Sequence, residues 1–164
     1  MKQTRRKRLV VAVMIVPVLV LCVSLAQAAD LTRDEYVARV EPICKQSTEA
    51  NQRIFAGAKE EVKSGKLKLA STHFVRAEAA LDKTIRRLRS VPEPVADEAK
   101  LDKWLGYLET ESEYLGRIGK ALARGDKGKA QTLSVQLNRN SNLANNSVLA
   151  FGFTYCKLEP SRFS

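Results

Sequence analysis

Four stretches of this chain carry apolar residues at steps of three and four, and each of the first three runs out at a helix breaker. The first stretch holds Tyr36, Val40, Ile43, Cys44, Ile54, Phe55 and Val62, and the second Leu67, Ala70, Phe74, Ala77, Leu81, Ile85 and Leu88. The third holds Leu101, Leu105, Leu108, Leu115, Ile118 and Leu122, and the fourth Ala130, Leu133, Leu137, Ala144, Val148, Phe151 and Tyr155. This spacing sets an apolar stripe along one face of a helix. The breaks fall at Gly65, at Val91-Pro92-Glu93-Pro94 and at Gly125-Asp126, where glycine closes one helix and aspartate caps the next. The predicted helices therefore run over residues 32–65, 66–90, 95–124 and 126–156. Thr32-Arg33-Asp34-Glu35 reads as a capping box at the start of the first, and Pro42 within it should produce a kink. No strand alternation or internal repeat competes. Four helices of similar length on short links predict an all-α fold, an antiparallel up-down-up-down four-helix bundle over residues 29–158, with a loose tail at 159–164.

Residues 1–28 have the three-part form of a secretory signal peptide. Lys2, Arg5, Arg6, Lys7 and Arg8 precede an apolar run from Leu9 to Leu25, and Ala26-Gln27-Ala28 offers cleavage after Ala28. Pro17 interrupts the run, which is marginal for a membrane span, so an uncleaved N-terminal signal anchor is the alternative. Lipidation at Cys22 fits less well, because Leu21 stands where a small residue is wanted. Arg5-Arg6 hints at a twin-arginine signal, but Arg8 occupies a position that is usually apolar. A secreted or extracytoplasmic protein is expected.

Cleavage would reduce the charge. Five of the 28 lysines and arginines precede Leu9, so 23 would face 18 acids and the net charge would fall from +10 to +5. That is ordinary for a soluble surface and gives no case for nucleic acid. Cleavage would also remove one of the three cysteines. Cys44 and Cys156 remain, an even pair in an oxidising compartment, too far apart for a metal motif. A disulfide is expected, and the bundle topology agrees, since it sets the start of the first helix beside the end of the fourth.

Catalytic chemistry has little to draw on. His73 is the single histidine, with no nucleophile motif around it, and a solvated or half-packed role is expected. Both methionines lie in the signal and no C-x-x-C-H occurs, so haem ligation is disfavoured. A carboxylate di-iron site would need more than one histidine. Glu109, Glu111 and Glu113 alternate faces and read as a solvated surface. No metal, no cofactor and no enzymatic activity are expected.

Midway along each stripe the residues turn small or polar: Ser47 and Asn51, Ala77 and Ala80, Ser112, then Asn140 and Ser141. In the predicted bundle these share a level and form a polar waist between aromatic ends. Small core residues usually serve close packing, so buried pairs that fix register are the first expectation. A pocket walled by Ser47, Asn51, Ser112, Asn140 and Ser141 is the second. Two hairpin turns should also gather Lys63, Lys66, Lys68, Lys120, Arg124, Lys127 and Lys129 at one end. Helix C-terminal charge complementarity explains these cations first. Docking to an anionic envelope surface is the alternative.

Tyr36-x-x-Arg39-x-x-x-Ile43-Cys44, Trp104-Leu105, Gly125-Asp126 and Phe151-Gly152-Phe153-x-x-Cys156 together span most of the chain after the signal. In these motifs the chain resembles uncharacterised small exported helical proteins of actinobacterial type. The resemblance implies export, an all-helical fold and a Cys–Cys pair, and carries over no catalytic or ligand-binding residue. The leading functional expectation is an exported non-enzymatic module that binds an envelope protein or an anionic envelope surface. A small-ligand carrier using a polar pocket within the bundle is the alternative.

Overall fold

A computed structural model describes residues 30–159. The expected signal segment, its cleavage site at Ala28 and the tail beyond Glu159 lie outside the described residues. The described fold is all-helical: α1 (Arg33–Ile54), α2 (Ala58–Lys63), α3 (Leu67–Arg89), α4 (Glu98–Ala123) and α5 (Lys127–Ser147). Short 3-10 turns precede α4 (Val95–Asp97) and follow α5 (Leu149–Phe151). Among the described residues no helix is long and apolar enough to cross a membrane.

Local chemistry sets the helix starts as expected. The Thr32 hydroxyl accepts the Glu35 N–H at 3.3 Å, and the Glu35 carboxylate accepts the Thr32 N–H at 2.9 Å. Asp126 opens α5 by accepting the Lys129 N–H at 2.8 Å. Arg33 makes a two-pronged contact with Asp97, at 2.7 and 2.8 Å, tying the start of α1 to the start of α4. Asp97 is 3% exposed and also receives Lys100 at 3.2 Å. The Arg33 bond, with help from Lys100, holds its carboxyl below the ordinary carboxylate range.

Two boundaries differ from expectation. The first stretch is not one helix to Gly65: it runs unbroken through Pro42 and ends at Ile54. Gly57 has φ of 86°, a left-handed conformation that glycine adopts freely and that ends the helix here. The break turns Phe55 edge-on to Phe74, with ring centroids 5.1 Å apart. It also frees the Ile54 carbonyl, which accepts a hydrogen bond from Nδ1 of His73. His73 Nε2 lies 3.0 Å from the Glu61 carboxylate in α2. The lone histidine thus clasps the α1–α2 joint, a more specific role than the solvated one expected.

The last stretch is not a helix to Cys156 either. It ends at Ser147, and Gly152, at φ of 63°, turns the chain into an irregular strap reaching Glu159. Polar residues Asn145 to Ser147 compete for backbone groups and favour a helix end there. Asn145 uses its amide to bind the strap, giving to the Leu158 carbonyl and accepting the Leu158 N–H, both at 2.9 Å. Glu41 on α1 accepts the Thr154 and Tyr155 N–H groups at 2.7 and 2.9 Å. Tyr155, expected on the apolar stripe, is 41% exposed beneath the Lys45 ammonium. Phe153, off that stripe, is buried instead, completing a ladder of rings from Tyr36 through Phe151 and Phe153 to Trp104.

The core is built on α4, which packs closely against α3 on one side and α5 on the other. At Gly119 an added Cβ would lie 3.2–3.3 Å from Val75, Phe74 and the Ser71 carbonyl, so glycine permits that approach to α3. The α1 helix packs on α3 through contacts such as Gln46–Arg87 and Ser47–Thr84. It makes no comparable packing with α5. The strap spans that seam, and the Cys44–Cys156 disulfide fixes it with a Cα–Cα distance of 5.0 Å.

Cys44→Ser and Cys156→Ser should therefore lower the melting temperature by similar amounts, with the double variant no worse than either. The expected loss is about 2–4 kcal/mol for so long a loop, read by thermal denaturation. Additive losses would count against a shared bond.

Candidate functional site

The unclosed seam leaves a cavity of about 410 Å³ between α1, α5 and the strap. It reaches inward to all of the long helices, following α3 from Phe74 to Leu88, a distance of about 20 Å at the helical rise. Apolar side chains dominate: Leu81 and Leu88 from α3, Leu108 and Leu115 from α4, Leu137 from α5, and Phe55 and Phe74 at one end. The disulfide and Trp104 lie at the other end. Ser47, Thr48 and Asn51 form a polar strip on α1, where Ser47 accepts the Thr84 hydroxyl at 3.1 Å, and Glu111 lines the same cavity from α4. Lys59, Lys63, Lys157 and Glu159 stand among the lining residues in α2 and the strap.

The waist combines both arrangements expected of it: buried polar pairs at Ser112, Asn140 and Ser141, and a cavity beside Ser47 and Asn51. Small residues fill a level only when the surrounding helices can move together. Here the strap, not a helix–helix seam, bridges α1 and α5, and the cavity lies between them. Of the five residues expected to wall a pocket, Ser47 and Asn51 do so. Ser112 faces α3, donating to Asp82 at 2.5 Å and to the Glu78 carbonyl at 3.3 Å. Asn140 and Ser141 sit behind the cavity wall, where both hold Glu111.

Glu111 is the residue that sequence reasoning missed. It was expected on a solvated face and is instead 7% exposed. Its position carried a signal: it falls three residues after Leu108 and four before Leu115, on the apolar stripe of α4. Asn140 and Ser141 fill the matching gap on α5 between Leu137 and Ala144, and the two gaps face one another. Asn140 Nδ2 donates to Glu111 Oε2 at 3.2 Å and to the Tyr107 carbonyl at 2.9 Å. Ser141 Oγ lies 2.8 and 3.0 Å from the two Glu111 oxygens and 2.9 Å from the Leu137 carbonyl.

Ser141 has one hydrogen to give among those three acceptors. With Glu111 protonated, the acid donates to Ser141 and Ser141 donates to Leu137. With Glu111 ionised, Ser141 turns its hydrogen to the carboxylate. The same neighbours serve both states. Burial raises the Glu111 pKa from 4.5 to about 7, partly opposed by the Ser141 and Asn140 hydrogen bonds.

Two further lining residues hold buried polar atoms without hydrogen-bond partners, Oδ1 of Asn51 and Nε1 of Trp104. Leaving such groups unpaired costs about 1–3 kcal/mol each. No group of three or more His, Cys, Asp and Glu among the described residues could hold a metal ion.

The basic end is more dispersed than the sequence suggested. Lys66, Lys68 and Arg124 border one shallow depression between the α2–α3 and α4–α5 turns. Lys63 turns to Glu60 at 2.9 Å and lines the main cavity instead. Lys120, Lys127 and Lys129 are exposed and do not line that depression.

The raised pKa of Glu111 gives stability a definite pH dependence. Between pH 4.5 and about 7 the folded protein keeps a proton that the unfolded chain releases. The contribution of this group is therefore fully present below pH 4.5, declines as pH rises to 7 and is constant above. Glu111→Gln should remove that decline, raising stability at pH 8 by roughly 2–4 kcal/mol relative to the parent while changing little at pH 4. Thermal melts of both proteins across that range check this, and parallel curves would contradict it.

Comparison with family models, with curated proteins and with solved structures returns no match, so the site is read from its own geometry.

Proposed function

We propose that this chain is an exported, non-enzymatic binding protein that carries a small, largely apolar molecule between α1 and α5. The observation behind this reading is the 410 Å³ cavity, within the usual size of small-molecule sites and lined mainly by leucine and aromatic side chains. The few polar groups, Asn51, Thr84 and Glu111 among them, would orient the ligand. The signal-like residues 1–28 and the disulfide both suit an oxidising, extracytoplasmic setting. An up-down-up-down order of α1, α3, α4 and α5 accounts for the pairs Gln46–Arg87, Ser47–Thr84 and Ile54–His73, whose numbers rise on one helix as they fall on the other. The non-enzymatic part of this reading is supported by the state of the titratable residues. Both ring nitrogens of His73 are engaged in the α1–α2 clasp, and the one hydroxyl hydrogen-bonded to Glu111, that of Ser141, is fully buried and shared with the Leu137 carbonyl.

A second reading rests on Lys66, Lys68 and Arg124 around their shared depression. These cations would dock the carrier to an anionic envelope surface or to an envelope protein. It places the protein near a membrane or wall without assigning it a different ligand.

Trp104, the single tryptophan, lines the cavity and reports on it directly. Titration with the apolar fluorophore N-phenyl-1-naphthylamine should give saturable, one-site energy transfer from Trp104. Its melting temperature should rise with probe concentration, by about 2.7 kcal/mol of stability at a hundredfold excess over Kd. Transfer that never saturates, with no melting shift, would remove the carrier reading.

A further inference from the structure

The two fully buried acids of the described chain are treated differently by their surroundings. Asp97 has two cations of its own, Arg33 at 2.7 Å and Lys100 at 3.2 Å. Glu111 makes no ion pair among the described residues, although Asn140 and Ser141 are placed to hold it as an anion. It belongs to the cavity wall, and Asn51 on α1, also in that wall, contributes a buried acceptor oxygen with no donor. Two acceptors thus line an apolar interior, and among the described residues no cation is paired with either.

Resting on the carrier reading, we propose that the ligand is an apolar ammonium compound, an alkyl or aralkyl amine whose charged nitrogen sits between Glu111 and Asn51. The hydrocarbon part fills the leucine-lined space on either side. A primary ammonium has three N–H donors and no acceptor, matching a carboxylate and an amide oxygen. A carboxylic acid or phosphate would set its anion against Glu111. An alcohol offers one hydrogen and no charge. The ion pair forms where water is scarce, so each hydrogen bond counts for more than at the surface.

Charge elsewhere around the cavity is known. Lys59, Lys63 and Lys157 line it with Glu159, and Lys63 is engaged by Glu60. Behind Glu111, α5 presents the uncharged Asn140 and Ser141, and α3 presents Asp82, which takes the Ser112 hydroxyl, and Glu78. The polar strip of α1 is uncharged. The lysines favour anions at the rim, while the interior favours a cation.

Ligand binding is then linked to a proton. Below about pH 7 the amine must displace the proton from Glu111, and above it the carboxylate is ready. Affinity for the amine should rise about tenfold per pH unit on the acid side and level off above pH 7, with one proton released per amine bound on the acid side.

Calorimetric titration of the disulfide-intact protein with hexylamine, 1-hexanol and hexanoate tests this. Hexylamine should bind about tenfold or more tightly than hexanol at pH 8, and that preference should fade as pH drops to 5. Repeating the titration in buffers of different ionisation enthalpy counts the proton. In Glu111→Gln the two affinities should converge and lose their pH dependence. Hexanol bound as tightly as hexylamine at pH 8, or hexanoate bound best, would overturn the ammonium assignment and leave the carrier reading standing. If none of the three binds and N-phenyl-1-naphthylamine also fails, both readings fall. The pH profile of the parent protein decides the matter even if the variant does not fold.

Discussion

Among the described residues α1 has no packing on α5 comparable to its packing on α3, and the strap joins the two. In most four-helix arrangements each helix is packed along two neighbours, and the apolar stripes meet in a closed core. Here α4 is packed along both α3 and α5, while α1 rests on α3 and leaves its other flank open. Covalent and polar links replace the missing helix–helix seam: the disulfide, the Glu41 carboxylate on two strap amides and the Asn145 amide on Leu158. These are short-range ties that fix distance without filling volume. Side chains that would normally interlock across the seam instead line a space, and the shape of the protein follows from that substitution.

Helices were the legible part of the sequence. Steps of three and four located α1, α3, α4 and α5, and Thr32, Asp126, Gly65 and Gly125 marked ends by well-understood capping chemistry. The failures share one cause, that periodicity continues past the point where the helix stops. Phe55 and Val62 keep the spacing of α1 across Gly57, and Phe151 and Tyr155 keep that of α5 beyond Ser147. A single glycine within a periodic run does not by itself end a helix. Local and tertiary causes act together here: Gly57 with the Phe55–Phe74 contact and His73 clasp in one case, and Asn145 to Ser147 with the reach of Cys156 to Cys44 in the other. The open seam was out of reach for the same reason, since it depends on where a non-helical segment lies. Ser47 and Asn51 stand out in the sequence as candidate pocket residues because they interrupt an apolar stripe, and Glu111 interrupts one in the same way.

Glu111 and Asp97 show how one fold handles two buried carboxyls. Asp97 joins elements, and its cations come from α1 and from its own helix. Glu111 joins α4 to α5 through neutral donors and faces empty space. Burial without a cation raises its pKa towards 7, and the neighbours accommodate either protonation state. On the carrier proposal, the stability that Glu111 gives up at neutral pH serves whatever enters the cavity.

If the strap creates the site, loosening it should abolish binding before it abolishes the fold. The decisive measurement is the Kd of N-phenyl-1-naphthylamine before and after selective reduction of Cys44–Cys156, at a temperature where circular dichroism shows the helices intact. Binding should weaken by about tenfold or more on reduction, since strap residues Thr154 to Glu159 form one wall of the cavity. Unchanged affinity in the reduced, folded protein would contradict it.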